Sequence, residues 1–142
     1  MFLGTYFPKL DDKGRFFLPA KFREELADGL VITRGEDHCL AIYTPEAFLR
    51  MAEHVTSGPT TVKSVRDLQR MLAANAADEA PDRQGRVSIP QQLREYAGLD
   101  KEIVVIGSMT RVEVWDAVAW EAYSTAQEAV FADMNVEVIP GQ

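Results

Sequence analysis

One thirteen-residue segment occurs twice in this chain, and this repetition constrains the fold more than any other feature of the sequence. Residues 11–23 read DDKGRFFLPAKFR, and residues 82–94 read DRQGRVSIPQQLR. The two segments align without a gap, with five identical residues and further positions, such as Leu18/Ile89 and Phe22/Leu93, that keep an apolar side chain. After one extra residue the match resumes and extends to Phe48 and Trp120. Self-similarity in matched order at a fixed period indicates a tandem duplication.

Each repeat has the pattern of a small unit of strands and helices. An extended segment leads into an Asp-x-x-Gly-Arg turn, and a short apolar strand and a helix that begins with proline follow it. Two more strands, rich in β-branched and apolar residues, are joined by a turn of four to six residues, and a closing helix ends the unit. The predicted strands are 15–18, 30–33 and 40–43, then 86–89, 102–106 and 112–115; the helices after the prolines are 20–26 and 91–97.

A unit of about 45 residues is too small to bury a core of its own. Two units in one chain can pair about a pseudo-twofold axis, so we predict an α+β fold with an interleaved β-barrel and flanking helices. Between the units, residues 60–75 place apolar side chains three and four apart, which predicts a helix that links and braces them. The predicted division is 5–47 for the first unit, 48–75 for linking helices, 76–119 for the second unit, and 120–142 for a C-terminal helix and tail.

Charge is distributed unevenly along the chain, although the net charge is −7. Residues 1–23 carry five basic and two acidic side chains, whereas six acidic and no basic side chains lie from Val112 to the end. No apolar run is long enough to span a bilayer, and the first residues lack the pattern of a secretory signal. A single cysteine, Cys39, excludes an internal disulfide. We expect a cytoplasmic protein with no membrane contact and no cofactor.

The Asp-x-x-Gly-Arg turns allow two interpretations. In the structural one, Gly supplies the positive φ that a tight connection needs, Asp bonds its own backbone, and Arg pairs with Asp at the surface. In the functional one, Asp holds the guanidinium on a two-stranded ribbon that enters the major groove, where Arg bonds guanine and neighbouring cations meet phosphates. The candidate DNA-binding residues are Asp11, Lys13, Arg15, Asp82, Arg83 and Arg86. Because each turn offers only two positive groups, useful affinity would need several chains acting together.

These turns, together with Met1-Phe2-x-Gly4, the segment from Glu113 to Asp116, and Trp120, resemble the MraZ family over roughly the first 120 residues. The resemblance implies two SpoVT-AbrB-like swapped-hairpin units that form a double-split β-barrel. It also implies closed rings of many subunits that bind double-stranded DNA at short direct repeats upstream of their own division and cell-wall operon, in association with the nucleoid. The residues that match the family's DNA-contacting positions are Asp11, Arg15, Asp82 and Arg86. The second turn departs slightly, because Gln84 stands at the position of Lys13 and the basic residue is Arg83.

Two other classes of protein are alternatives for this sequence. An enzyme or metal site could use His38, Cys39 and His54, but adjacent residues in a strand face opposite sides, and no catalytic or metal-binding motif is present. A protein-interaction module is the second alternative, because AbrB-like units also serve as antitoxins whose tails wrap a toxin. Aromatic side chains could also stack on bases of a single strand. Their equivalent positions in the two repeats favour core or subunit packing for Phe16, Phe17, Tyr43, Trp115 and Trp120.

Overall fold

The same order of elements occurs twice among residues 1–134, which are the residues that the computed structural model describes. The first half contains β1 (Phe2–Tyr6), β2 (Arg15–Phe17), α1 (Ala20–Leu26), β3 (Leu30–Arg34), β4 (Leu40–Tyr43) and α2 (Pro45–Val55). A connecting helix, α3 (Lys63–Ala74), follows. The second half contains β5 (Ala77–Glu79), β6 (Arg86–Ser88), α4 (Gln91–Tyr96), β7 (Ile103–Met109), β8 (Arg111–Asp116) and α5 (Ala117–Ala132). The α+β class is confirmed; the end of the predicted tail, 135–142, lies outside the described residues.

Side-chain caps start the closing helix of each half. Thr44 Oγ1 accepts a hydrogen bond from the backbone N–H of Ala47 at 3.1 Å, and Pro45 occupies the first turn of α2. Asp116 Oδ2 accepts from the N–H of Ala119 at 3.1 Å at the start of α5. Each cap satisfies one of the N–H groups that a helix leaves without a partner, so the two helices begin directly after Thr44 and Asp116.

The strands of the two halves are interleaved. One antiparallel sheet has the order β1-β7-β8-β4-β3-β5, and a second sheet pairs β2 with β6. If each strand is replaced by its equivalent from the other half, the first sheet keeps the same strand order read in reverse, and the second sheet still pairs β2 with β6. Except for the hairpins β3–β4 and β7–β8, every strand pair joins one half to the other. The predicted interleaving is therefore present, whereas the strands of residues 1–134 form two separate sheets and closure into a barrel stays a prediction.

A pseudo-twofold axis follows from the register of the strands. In the pair of β2 and β6, Phe16 lies opposite Val87, and these two residues occupy equivalent positions in the repeat. In the pair of β4 and β8, Ala41 lies opposite Glu113, which are also equivalent. Both central pairs must lie on the axis, because only there does a residue face its own counterpart.

The main core lies between the two sheets. Phe16 and Val87 project from the small sheet and are almost completely buried, and they pack with the inward side chains of the large one. Edge-on rings of Phe2 and Tyr6 pack against Phe22 of α1, with centroids 5.3 and 5.2 Å apart. Since each large apolar side chain contributes roughly 1.5–3 kcal/mol when buried, this shared core stabilises both halves together.

A polar network lies on the opposite face of the large sheet. Glu113, which is only 9% exposed, accepts from Arg111 Nε at 3.0 Å and from Arg111 Nη2 at 2.7 Å. Trp115 Nε1 donates to the other oxygen of Glu113 at 3.1 Å, and Arg111 Nη1 donates to the hydroxyl of Tyr43 at 2.8 Å. The network joins β8 to β4, so it links the two halves beside the axis.

Two details of the fold differ from the expectations. The connection between β7 and β8 is a tight turn at Met109 and Thr110, because both strands extend beyond their predicted ends, so the predicted longer turn is wrong. The connecting helix α3 packs on α2, and none of its side chains is buried. Its apolar stripe remains half-exposed, with Leu68 at 42% and Met71 at 54%.

Candidate nucleic-acid interface

The first Asp-x-x-Gly-Arg turn, turn 1 (residues 11–15), is organised around one carboxylate. Asp11 Oδ1 accepts from the backbone N–H groups of Lys13 and Arg15, each at 2.9 Å. Its other oxygen, Oδ2, accepts from Arg15 Nε at 2.8 Å. The backbone N–H of Gly14 donates to the carbonyl of Asp11 at 3.0 Å, and Gly14 adopts a φ of 76°, which favours glycine. A single Asp therefore fixes both the turn and the guanidinium.

The second copy, turn 2 (residues 82–86), repeats this geometry. Asp82 Oδ1 accepts from the N–H groups of Gln84 and Arg86 at 2.9 Å, and Oδ2 accepts from Arg86 Nε at 2.7 Å. Gly85 has a φ of 83°. Hydrogen bonds from the backbone N–H and the side chain of the arginine lower the pKa of Asp82, and those of Arg15 do the same for the pKa of Asp11. Both carboxylates are therefore ionised at neutral pH.

The two turns lie at opposite ends of one ribbon, defined as the antiparallel pair of β2 and β6. In its register Arg15 lies opposite Ser88, and Phe17 lies opposite Arg86. Because side chains alternate across a strand, these four residues share the outer face, while Phe16 and Val87 face the core. Diagonal neighbours across two strands lie roughly 7–8 Å apart, which is about two base-pair rises of DNA. Both arginines thus stand on one solvent-facing surface.

Phe17 also lies on this outer surface and not in the core of the chain. Its side chain is 51% exposed, whereas its neighbour Phe16 is 1% exposed. Phe17 is therefore not a core residue of the single chain, whereas Phe16 is, and packing of Phe17 between subunits stays a prediction. Alternation along β2 accounts for the difference, since only one of two consecutive side chains can face the sheet behind it.

The outer face of the ribbon carries an excess of positive charge. Lys13 and Arg83 are exposed within the turns, as predicted from sequence. Among the described residues, Arg15 and Arg86 are held only through Nε and the backbone, so their Nη groups are available as donors. The two turns carry four cations and three anions: Lys13, Arg15, Arg83 and Arg86, against Asp11, Asp12 and Asp82.

Two arginines at the turns were not predicted as functional residues. Arg23 Nε donates to the carbonyl of Leu18 at 2.8 Å, and Arg94 Nε donates to the carbonyl of Ile89 at 3.0 Å. They form the last identical pair in the repeated segment, and this identity was the signal that could have pointed to them.

The residues of the enzyme alternative do not come together. Cys39 is buried, and burial followed by the charge of Glu113 raises the pKa of its thiol to about 12. His38 lies beside the ring of Tyr96, with centroids 5.1 Å apart, and His54 lies in the last turn of α2. Within residues 1–134 no three His, Cys, Asp or Glu side chains are arranged to hold a metal ion. Nor does this part of the chain contain a helix long and apolar enough to cross a membrane.

Comparison with known proteins shows which family the sequence matches. A family model described as "MraZ protein, putative antitoxin-like" matches residues 1–71 and again residues 72–137. A protein of Cutibacterium acnes named "Transcriptional regulator MraZ" is 68% identical over 142 residues, which cover all of both chains. Proteins with the same name from Leifsonia xyli and Kocuria rhizophila are 55% and 54% identical over 141 residues, with 99% of each chain covered. All three names describe regulation of transcription, which is not a class of enzyme.

Proposed function

The chain belongs to the MraZ family, and we propose that it is a DNA-binding transcriptional regulator that reads sequence through its two Asp-x-x-Gly-Arg turns. The observation that carries this proposal is the pair of aspartate-held arginines, Arg15 and Arg86, on the outer face of one ribbon. The relatives are named as regulators, which supports the class of function. The particular role of each residue is our inference from the geometry.

In the proposed complex the ribbon enters the major groove, whose width of about 12 Å admits two strands. Holding Nε on the aspartate leaves the Nη groups of Arg15 and Arg86 to bond guanine O6 and N7. The aspartates contribute by fixing the side chains in advance, so that less rotamer entropy is lost on binding. Lys13 and Arg83 contact phosphates on either side and set the register. The proposed interface therefore consists of Asp11, Lys13, Arg15, Asp82, Arg83 and Arg86.

We further propose that several chains act together as a closed ring on short direct repeats upstream of the protein's own division and cell-wall operon. A single ribbon offers few phosphate contacts, so affinity must come from repetition. Two exposed surfaces support assembly. Helix α3 carries Lys63, Arg66 and Arg70 beside its apolar stripe, while α5 carries acidic residues beside Val118, Val130 and Phe131, which are 57–77% exposed. Opposite charges around apolar patches suit contact between successive copies. Binding of this kind would associate the protein with the nucleoid in the cytoplasm.

The finer architecture is proposed in the same way. The shared core and two ladder bonds beyond the ribbon, from Leu18 N–H to the Gly85 carbonyl and from Ile89 N–H to the Gly14 carbonyl, support the double-split barrel. We keep the division into units at 5–47 and 76–119 with linking helices at 48–75 and a C-terminal segment at 120–142.

A mobility-shift assay with DNA from upstream of the gene tests the proposed function. Arg15→Ala and Arg86→Ala should each weaken specific binding by at least tenfold, since a bidentate contact to a base is worth roughly 1–3 kcal/mol and every bound chain loses it. Lys13→Ala should lower the slope of affinity against salt by about one for each chain that contacts the DNA, and should leave the sequence preference unchanged. Arg50→Ala, an exposed arginine on α2 outside the turns and outside the proposed assembly surfaces, is the matched control and should bind like the wild type.

The size of the assembly, measured by light scattering, should be the same for all variants. Unchanged DNA binding by the Arg15→Ala/Arg86→Ala double variant would contradict the proposal. Recovery of a stable toxin-like partner, together with no preference for the upstream DNA, would favour the protein-interaction alternative.

A further inference from the structure

The two glycines of the turns face arginines that belong to the other half of the chain. A methyl group added at Gly14 would lie 2.7 Å from Cζ and 2.8 Å from Nε of Arg94. A methyl group added at Gly85 would lie 2.8 Å from Nε and 3.0 Å from Cζ of Arg23. Three of these distances are below 3.0 Å, which Cβ atoms essentially never show, so each guanidinium lies directly against the turn of the opposite half.

Two hydrogen bonds accompany each contact, and together with the contact they form a circuit. The backbone N–H of Leu18 donates to the carbonyl of Gly85 at 2.9 Å, and the carbonyl of Leu18 accepts from Arg23 Nε at 2.8 Å. Arg23 belongs to the first half, and through Leu18 it is connected to the glycine of turn 2, which it also contacts directly. The counterpart circuit runs from Gly14 through Ile89 to Arg94, with distances of 2.8 and 3.0 Å. The pseudo-twofold axis relates the two circuits.

We propose that Arg23 and Arg94 are positioning residues, and that each of them holds the turn of the other half: Arg23 holds turn 2, and Arg94 holds turn 1. Each guanidinium contacts the opposite turn at its glycine. That glycine directly precedes Arg15 in turn 1 and Arg86 in turn 2. The aspartate fixes that side chain from within the turn, and the guanidinium of the opposite half fixes the backbone from outside. The part of this proposal that concerns DNA rests on the proposed function, whereas the crosswise coupling is a property of the free protein.

The residue types fit this role. A guanidinium is planar and can lie flat against a glycine Cα while its Nε donates to a carbonyl, and lysine has neither the plane nor the donor at that position. Glycine is needed twice over, for its positive φ and because a Cβ would displace the guanidinium. The proposal therefore explains why Gly and the second Arg occur together in both copies of the repeat.

Double-variant cycles for DNA binding test the crosswise assignment, with Arg23→Ala combined with Arg86→Ala or with Arg15→Ala. We expect Arg23→Ala to weaken specific binding by about tenfold when Arg86 is present, the size usual for one lost discriminating contact, and to have little further effect when Arg86 is absent. Its effect should add fully to that of Arg15→Ala. Arg94→Ala should give the mirror result. Coupling of Arg23 to Arg15 rather than to Arg86 would overturn the proposal.

Arginine side-chain NMR of the free protein provides a readout that does not depend on DNA. In Arg23→Ala the Nε–H resonance of Arg86 should shift or broaden while that of Arg15 stays in place, and Arg94→Ala should do the reverse. Arg23→Lys should behave like Arg23→Ala, because it keeps the charge and loses the planar contact. Full rescue of binding by Arg23→Lys would mean that Arg23 acts only as a positive charge and would overturn the positioning role.

The two proposals fail in distinguishable ways. If Arg15→Ala and Arg86→Ala leave DNA binding unchanged, the proposed function fails, and the NMR experiment still decides whether the turns are coupled crosswise. If those variants lose binding but Arg23→Ala leaves both the Arg86 resonance and the affinity unchanged, only the positioning role fails. Arg50→Ala serves as the control in both measurements.

Discussion

Replacing Arg111 by alanine would leave a charged side chain buried beside the central strand pair. Glu113 is held by two nitrogens of Arg111 and by Trp115 Nε1, and only 12% of its side-chain surface reaches solvent. After the replacement, Trp115 alone would donate to the carboxylate, and the hydroxyl of Tyr43 would also lose its partner. The free energy of unfolding should fall because water cannot reach Glu113 well enough to replace the lost donors.

The size of the loss follows from the two consequences. Removing one partner of a buried ion pair costs roughly 3–5 kcal/mol, and the hydrogen bond from the charged guanidinium to Tyr43 contributes roughly 1.5 kcal/mol within that range. The partial exposure of the pair places the expected loss near the lower end, at about 3 kcal/mol. Replacing both partners, as Arg111→Met with Glu113→Gln, should recover at least half of this, because an amide oxygen can still accept from Trp115.

Urea unfolding at a fixed protein concentration, followed by tryptophan fluorescence, measures the loss, since Trp115 reports directly on this network. Lys9→Ala is the control, because it breaks an exposed pair with Glu102 and should cost at most about 0.5 kcal/mol. A loss for Arg111→Ala no larger than that of Lys9→Ala would show that Glu113 is solvated without its partner and would refute the reasoning.

Three further measurements concern the turns and the core. Gly14→Ala should destabilise the fold more than Gly98→Ala, because both glycines have a positive φ but only Gly14 faces a guanidinium, so equal thermal shifts would contradict the close contact. The pKa of Asp11 and of Asp82 is lowered in the folded chain, so the stability that they add relative to the Asp11→Asn/Asp82→Asn variant should be constant from pH 8 to pH 5. It should decline as the pH falls below the ordinary carboxyl pKa of 3.8, whereas a difference that grows with acid in chemical denaturation would have the wrong sign. With its pKa raised to about 12 by burial, Cys39 should react with a thiol reagent at pH 8 only after unfolding, and rapid labelling of the native protein would disprove its burial.

The geometry of the turns was predictable from local hydrogen bonds, whereas features that depend on pairing between distant segments were not. An Asp, a Gly and an Arg at fixed spacing determine the turn by short-range hydrogen bonds, so their geometry agrees with the expectation. The exposure of Phe17 depends on which face of β2 meets the core, and the strand is too short to show alternation in the sequence. The contact of Arg23 with turn 2 depends on interleaving, which places residues 62 positions apart side by side. No pattern along the chain identifies a partner at that distance; only the identity between the repeats pointed towards it.

The pair of Ala41 and Glu113 on the pseudo-twofold axis has a consequence for how this molecule could evolve and assemble. In a dimer of identical chains, any substitution on the axis appears on both sides, so a carboxylate there would meet its own copy. Because the halves are covalently joined, one side carries a carboxylate while the other carries a methyl group. The same freedom leaves the molecule with two dissimilar ends, α2 with α3 at one and α5 at the other. A contact between two unlike ends would be heterologous, and repeated contacts of that kind would give an array a direction that a symmetric dimer cannot have.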